Sequence, residues 1–302
     1  MPFEPDWIAA DWGTSHLRVY GIDGAGAVMA EAASDRGMGV LSTDQFEAAL
    51  LDLVSPWLSP DRTIEIYACG MVGARQGWTE APYGPVPGHP IAAPGPVRAP
   101  TTDSRIAVHI VPGLAQAAPA DVMRGEETQI AGLLAAEPGF DGALCLPGTH
   151  SKWARLSGGT IGRFTTFMTG ELFALLSRQS VLRHSMAGEE IDPEAFASGF
   201  GAGFADPGLL TGQLFGLRAA SLLEGLAPAA ARGRLSGLLI GAELAAARPY
   251  WQAGAVGLIG ETGLAALYAR GLEHAGIAPR ILEARTLTLA GLAAVRAASQ
   301  KD

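Results

Sequence analysis

One order of elements occurs twice along these 302 residues, and it narrows the choice of fold more than any single motif. Residues 7–13 read as an apolar strand running into a turn. Residues 17–22 and 28–32 read as two further strands, with Gly24 and Gly26 punctuating the turn between them. From Thr43 the spacing changes: Phe46, Leu50, Leu53, Val54 and Trp57 fall on one helical face that stops near Pro56 and Pro60. The series then recurs as a strand at 143–146, a turn at 147–150, strands at 151–156 and 160–167, and a helix at 171–182. Gly13-Thr14-Ser15 and Gly148-Thr149-His150 hold the same place in the two series, the first hairpin turn. Such a turn offers backbone N–H groups and hydroxyls to an anion, and glycine lets the backbone come close. The duplication therefore predicts two hairpin turns that serve one polyphosphate.

The remaining patterns fill in an α/β chain. Strands are expected at 64–69 and 106–111 and a helix at 125–136, with a Pro- and Gly-rich irregular segment at 81–100. Irregular segments of that length inside compact domains are usually functional. The second half predicts a helix at 236–247, a strand ending at Ile259, the turn Gly260-Glu261-Thr262-Gly263, a helix at 264–274, a strand at 280–284 and a closing helix at 287–298. Gly199, Gly201 and Gly203 follow no strand and complete no dinucleotide fingerprint, so they are expected in a cleft-lining or hinge loop.

Length suits two domains, with a boundary expected at 138/139. With 48% hydrophobic and 17% charged residues, a sizeable core can form. A net charge of -9 argues against a nucleic-acid partner, since phosphate backbones require a basic face. No apolar stretch reaches membrane-spanning length, and Glu4 and Asp6 precede any apolar run, so neither a membrane anchor nor a secretory leader is expected. Cys69 and Cys145 sit in apolar strand-like runs, which predicts buried free thiols in a cytoplasmic protein. A homodimer is compatible with this composition.

Three stretches carry candidate chemistry. Asp11 ends the first strand beside Gly13, Thr14 and Ser15, where a carboxylate can hold magnesium while the turn holds phosphate. Gly148, Thr149, His150 and Lys152 form the partner turn, with Lys152 able to offset phosphate charge. Arg124, Glu126 and Glu127 open a helix: either glutamate can act as general base toward an attacking hydroxyl, and Arg124 can pair with a substrate carboxylate. Neighbours on a helix point about 100° apart, so one glutamate faces the hydroxyl and the other does not. An acid followed by Thr at this helix start resembles the hexokinase arrangement, which implies Glu127 as the base and Glu126 as the structural partner. The absence of Gly-x-x-x-x-Gly-Lys-Ser/Thr excludes the P-loop class.

Taken together, these stretches resemble the 2-keto-3-deoxygalactonokinase family, a branch of the actin/hexokinase/Hsp70 fold. The resemblance rests on residues 11–18, Gly70-Met71-Val72-Gly73 with Gly77-Trp78, Ala81-Pro82-Tyr83, residues 123–129 and 147–153, Met168-Thr169-Gly170-Glu171-Leu172, and residues 236–243. It implies a two-domain actin-like ATPase (ribonuclease H-like) α/β fold, each domain a mixed sheet flanked by helices. Residues 1–138 would form a sugar-acid domain with the catalytic carboxylate, and 139–302 a nucleotide domain. The implied reaction is ATP- and magnesium-dependent phosphorylation of the 6-hydroxyl of 2-dehydro-3-deoxy-D-galactonate in galactonate catabolism. Another 2-keto-3-deoxy sugar acid, or a non-kinase phosphotransfer on the same fold, stays open. The resemblance also puts adenine on Gly260, Glu261 and Thr262, and the sugar near Gly70, Met71, Trp78 and Arg124.

Overall fold

In the computed structural model, which describes residues 4–91, 94–252 and 254–300, the doubled order becomes two sheets of one topology. β1 (Trp7–Trp12) pairs antiparallel with β2 (Leu17–Ile22), and β2 antiparallel with β3 (Val28–Ser34). After helix α1 (Phe46–Val54), β4 (Ile64–Gly70) returns parallel to β1 on its other side. The segment at 81–100 holds two short strands, β5 (Tyr83–Val86) and β6 (Val97–Arg98), and its residues 92 and 93 lie outside the described residues. β7 (Ile106–Ile110) extends the sheet to the order β3-β2-β1-β4-β7-β6. Two strands that the sequence did not foretell, β8 (Gly113–Ala117) and β9 (Ala120–Met123), join β5 in a small sheet that feeds α2 (Glu126–Ala136).

The second sheet repeats the first. β10 (Gly142–Leu146), β11 (Ser151–Ser157), β12 (Thr160–Phe167), β13 (Ala255–Ile259) and β14 (Arg280–Leu282) lie in the order β12-β11-β10-β13-β14, which is the order β3-β2-β1-β4-β7 again. Its helices are α3 (Thr169–Arg178), α4 (Pro193–Ala205), α5 (Leu210–Leu223), α6 (Pro228–Ala246), the short α7 (Arg248–Trp251) and α8 (Thr262–His274). The last helix, α9 (Ala284–Ser299), packs back onto the first sheet. The chain thus has the two-domain actin-like ATPase fold.

Strand alternation builds the first core. Ile8, Ala10 and Trp12 face Phe46, Ala49, Leu50 and Val54 of α1, whereas Trp7 and Ala9 face Leu292 and Val295 of α9. Both cysteines are buried and free. Among the described residues no helix is long and apolar enough to cross a membrane.

Two expectations need correction. The compact units are not 1–138 and 139–302: one comprises Met1–Phe140, Ser157–Arg163 and Ala284–Asp302, the other Asp141–Leu156 and Phe164–Glu283. The reason is the close crossing of α2 and α9, where a Cβ on Gly132 would meet the Leu287 carbonyl oxygen at 1.9 Å and one on Gly291 the Thr128 carbonyl oxygen at 1.9 Å. Gly199, Gly201 and Gly203 lie within α4 and not in a loop. Gly199 and Gly203 fit against the backbone of α6, while Gly233, Gly237 and Gly241 of α6 fit against the backbone leading into and along α4. A Gly run that looks flexible alone is here a seam between two helices. Gly237→Ala, whose Cβ would lie 2.2 Å from the Phe196 carbonyl oxygen, is expected to destabilise the protein by about 1–3 kcal/mol. A melting temperature equal to wild type would refute the close packing.

Candidate active site

In the first unit, the parallel neighbours β1 and β4 bring their C-terminal ends together, and α2 starts beside them. Asp11 lies opposite Arg18 in the β1–β2 register, with its carboxylate 3.6 Å from the guanidinium. Burial raises the Asp11 pKa, and Arg18 partly offsets this. The turn that follows is gripped from behind: the N–H groups of Gly37, Met38 and Gly39 donate to the carbonyls of Ser15, Gly13 and Thr14 at 3.2, 3.0 and 2.8 Å. A Cβ on Gly37 would come within 2.3 Å of the Thr14 carbonyl oxygen, so only glycine allows this grip. Thr14 and Ser15 remain exposed, with their carbonyls turned to the clamp. Sequence reading missed this clamp; the signal was Gly37-Met38-Gly39 just after the third strand.

Gly70 ends β4 at φ 90°, its Cα 3.3 Å from where a Cβ on Gly125 would stand. Gly125 has φ 108° and starts α2, a backbone that favours glycine at both positions. Glu127 then folds back on its own turn: one oxygen accepts from the Gly125 N–H at 2.6 Å, the other from the Thr128 hydroxyl at 2.9 Å. It is only 1% exposed, and burial, helped by the charge of Glu126, pushes its carboxyl up to about 7. Glu126 is half-buried and accepts from the Arg124 N–H at 3.1 Å. Asp11 and Glu127 both bear on the Cys69 thiol, which burial pushes well up, so the two carboxylates share one electrostatic neighbourhood.

Arg124 is buried, and among the described residues no carboxylate pairs with its guanidinium. Its Nη2 donates to the Ala81 carbonyl at 2.7 Å and its plane lies 4.3 Å from the centre of the Tyr83 ring, but Nε and Nη1 have no partner. Gly73 adjoins Nη1, where a Cβ would come within 2.9 Å. The expected substrate residues Gly70 and Arg124 are thus brought to one place, with the half-buried Met71 following Gly70 in the chain. Trp78 is a correction: it is buried in the core, stacked on Phe46 and edge-on to Trp12, because a wide ring next to that helix is worth more as packing than as pocket wall.

The raised Glu127 pKa has a consequence for stability. The native chain holds a proton there that the unfolded chain releases between its usual value near 4.5 and about 7. The site therefore favours folding below that window and costs stability as pH rises through it, by about 3 kcal/mol at most. Glu127→Gln is expected to gain on wild type by about 2–3 kcal/mol between pH 4.5 and 8 in urea unfolding. A pH-independent difference would contradict the buried, proton-holding carboxyl.

In the second unit, Gly148-Thr149-His150 is gripped in a similar way. The Glu171 N–H donates to the Thr149 carbonyl at 2.9 Å, and a Cβ on Gly170 would lie 2.3 Å from the Gly148 carbonyl oxygen. The turn therefore sits on the N-terminus of α3, whose dipole favours anions. His150 pairs with Glu171, and the buried Lys152 donates to the His150 carbonyl at 3.2 Å. Gly260 ends β13 against Pro147, next to this turn. Glu261 is a helix cap: its carboxylate accepts from the N–H groups of Gly263 and Leu264, both at 3.1 Å, which lowers its pKa and fills the α8 N-terminus with the protein's own charge. Thr262 is exposed. A cavity of about 270 Å³ lies a turn further along, walled by Phe173, Ile191, Leu239, Ile240, Leu264 and Leu267, with Gly148, Thr149, Thr169 and Tyr268 also lining it. Of its wall, sequence reading assigned only the Gly148-Thr149 turn and the start of α8 to the nucleotide, and held Thr169, Gly170, Ser236, Leu239 and Ile240 only as parts of motifs without a role.

Magnesium takes oxygen ligands, usually one or two carboxylates with phosphate oxygens and water completing the shell. Asp11, half-buried, weakly paired and desolvated beside an exposed hydroxyl turn, fits as such a carboxylate. Among the described residues no group of three or more His, Cys, Asp or Glu forms a ready-made cage, so phosphate oxygens and water would supply the other ligands.

Comparison with known proteins gives the family. The family model described as 2-keto-3-deoxy-galactonokinase matches residues 11–295. A Rhizobium meliloti (strain 1021) protein, named a probable 2-dehydro-3-deoxygalactonokinase, is 41% identical over 95% of each chain. The Escherichia coli (strain K12) 2-dehydro-3-deoxygalactonokinase is 32% identical over 96% of this chain and 97% of its own. A crystal structure assigned as a 2-dehydro-3-deoxygalactonokinase protein from Sinorhizobium meliloti superposes with a TM-score of 0.88 at 40% identity, covering 97% of this chain and 96% of that one. With the family model matched over residues 11–295 and both relatives covered over nearly their whole length, the chain belongs to the 2-keto-3-deoxy-galactonokinase family.

Proposed function

We propose that this chain transfers the γ-phosphoryl group of ATP to the 6-hydroxyl of 2-dehydro-3-deoxy-D-galactonate, with magnesium, as a step of galactonate catabolism. The observation that carries the substrate class is Arg124. A buried guanidinium with two unmet donors is costly, and a substrate carboxylate is the group that matches it. The Tyr83 ring that covers it is 40% exposed, so the ring can yield to an entering acid.

The chain's own residues divide the work. The turns at Gly13-Thr14-Ser15 and Gly148-Thr149-His150, with Lys152 behind the second, bind phosphate oxygens. The cavity between α3, α6 and α8 takes the adenine, one helical turn beyond Gly260-Glu261-Thr262. Asp11 would hold the metal, which would supply charge neutralisation on the phosphates when bound. For the base we exchange the two expected roles. Glu127 has both oxygens engaged by Gly125 and Thr128 and is buried, so it holds the turn. The half-buried Glu126 can reach the substrate, and a base must touch the proton it takes. The sugar oxygen forms its bond to phosphorus as the bond to ADP breaks, and the hydroxyl proton passes to Glu126.

ADP release measured over a panel of 2-keto-3-deoxy sugar acids and neutral analogues tests this reading. Acids should be turned over and analogues lacking the carboxylate should not. Arg124→Ala should raise KM for the acid by roughly 30-fold or more, a loss of about 2–4 kcal/mol, while KM for ATP stays near wild type. Equal losses for both substrates would move Arg124 to the phosphates, and phosphorylation of neutral sugars alone would overturn the assignment.

A further inference from the structure

One buried carboxylate in the second unit has no part in the chemistry above, yet two of its partners, Thr169 and Tyr268, line the cavity assigned to the adenine. Glu243, on α6, is 3% exposed. One of its oxygens accepts from the Trp153 indole N–H at 2.8 Å, the other from the Tyr268 hydroxyl at 2.6 Å. The Ser151 hydroxyl lies 2.8 Å from the Tyr268 oxygen, and burial raises the Glu243 pKa while contacts with Thr169, Tyr268, Trp153 and Ser151 offset part of that rise. These donors sit on three separate elements. Ser151 and Trp153 belong to β11, which leaves the Gly148-Thr149 turn; Thr169 is the first residue of α3, and Tyr268 lies on α8. Thr169 and Tyr268 themselves line the cavity, as do Leu239 and Ile240 of α6.

An ionised carboxylate is acceptor-only and takes several donors at once, which an amide of the same size cannot do. The indole N–H can only donate, so a glutamine must give it the carbonyl oxygen and turn its NH2 toward the Tyr268 hydroxyl, which now donates. Such a network, fully satisfied, fixes one arrangement of the elements it joins. We propose that Glu243 is a positioning residue for the nucleotide: it holds β11, α3 and α8 at the spacing that shapes the purine cavity and sets the phosphate turn beside it. This rests on the reading that the cavity binds the nucleobase. It assigns no contact with ATP to Glu243 itself.

The test uses the full-length enzyme and separates the two readings. Leu267→Trp, which fills the cavity, should abolish ADP binding measured by calorimetry. Glu243→Gln should raise KM for ATP and the dissociation constant for ADP about tenfold, with KM for the sugar acid within twofold of wild type. Tyr268→Phe, which keeps the ring in the wall and removes one donor, should shift the ATP values in the same direction by about threefold. A residue that merely stabilises the fold would lower the melting temperature and leave this split between the two KM values unchanged. If Glu243→Gln does not fold, Tyr268→Phe and Thr169→Val carry the test, and unchanged ATP values in both overturn the proposal. If Leu267→Trp removes ADP binding while Glu243→Gln binds ATP normally, the cavity stands and the positioning role falls. If Leu267→Trp binds ADP like wild type, the nucleotide lies elsewhere and both fall.

Discussion

Glu126→Gln is expected to lower turnover by about a hundredfold or more, the usual range for a lost general base, with KM values and melting temperature close to wild type. The substitution keeps size and the hydrogen bond from the Arg124 N–H, so only proton acceptance is lost. Glu127→Gln should behave in the opposite way. Its pH-dependent stability changes, because the buried carboxyl is the group that binds a proton on folding, while turnover falls only a few-fold. Single-turnover kinetics on both variants separates the roles. A dead Glu127→Gln beside an active Glu126→Gln would restore the assignment expected from the helix start alone. Activity in both would leave positioning and charge to carry the reaction.

Asp11→Asn is expected to keep the fold and lose turnover by about a thousandfold, several kcal/mol in the barrier. Asn preserves the shape at the end of β1. It relieves a desolvated charge whose only ion pair among the described residues is the 3.6 Å contact with half-exposed Arg18, so little stability is at stake. Raising magnesium should recover part of the loss, since the defect lies in metal placement. Near-wild-type turnover in folded Asp11→Asn at ordinary magnesium would remove Asp11 from the mechanism.

What could be read from the sequence was local. Strand alternation and the Gly-Thr turns depend on neighbours a few residues away, so the two sheets, the equivalent turns and the helix that begins at Glu126 were all legible. Contacts between distant residues were not. Trp78 looks like a pocket aromatic beside Gly77, and only packing on Phe46 and Trp12 reveals it as core. The Gly199–Gly203 run reads as a loop when its glycines are weighed alone, although Phe196, Phe200 and Phe204 mark a helical stripe, because the fit of those glycines to the backbone of α6 is a contact between distant residues. The split of roles between Glu126 and Glu127 depends on which carboxylate the turn at Gly125 folds over, which spacing along a helix does not reveal. Glu261 has the sequence of a loop ligand and the geometry of a cap. The Glu243 network joins residues 90 positions apart at Trp153 and 25 apart at Tyr268, beyond any local pattern.

The central claim is phosphoryl transfer to one hydroxyl of a sugar acid held by its carboxylate. The most direct measurement is the position of phosphorus in the product of a preparative reaction of the enzyme with ATP, magnesium and 2-dehydro-3-deoxy-D-galactonate, read by phosphorus–proton NMR correlation. The account predicts one phosphate monoester per ADP released, with phosphorus coupled to the protons on carbon 6. Free inorganic phosphate as the only phosphorus product, or coupling to another carbon, would contradict it.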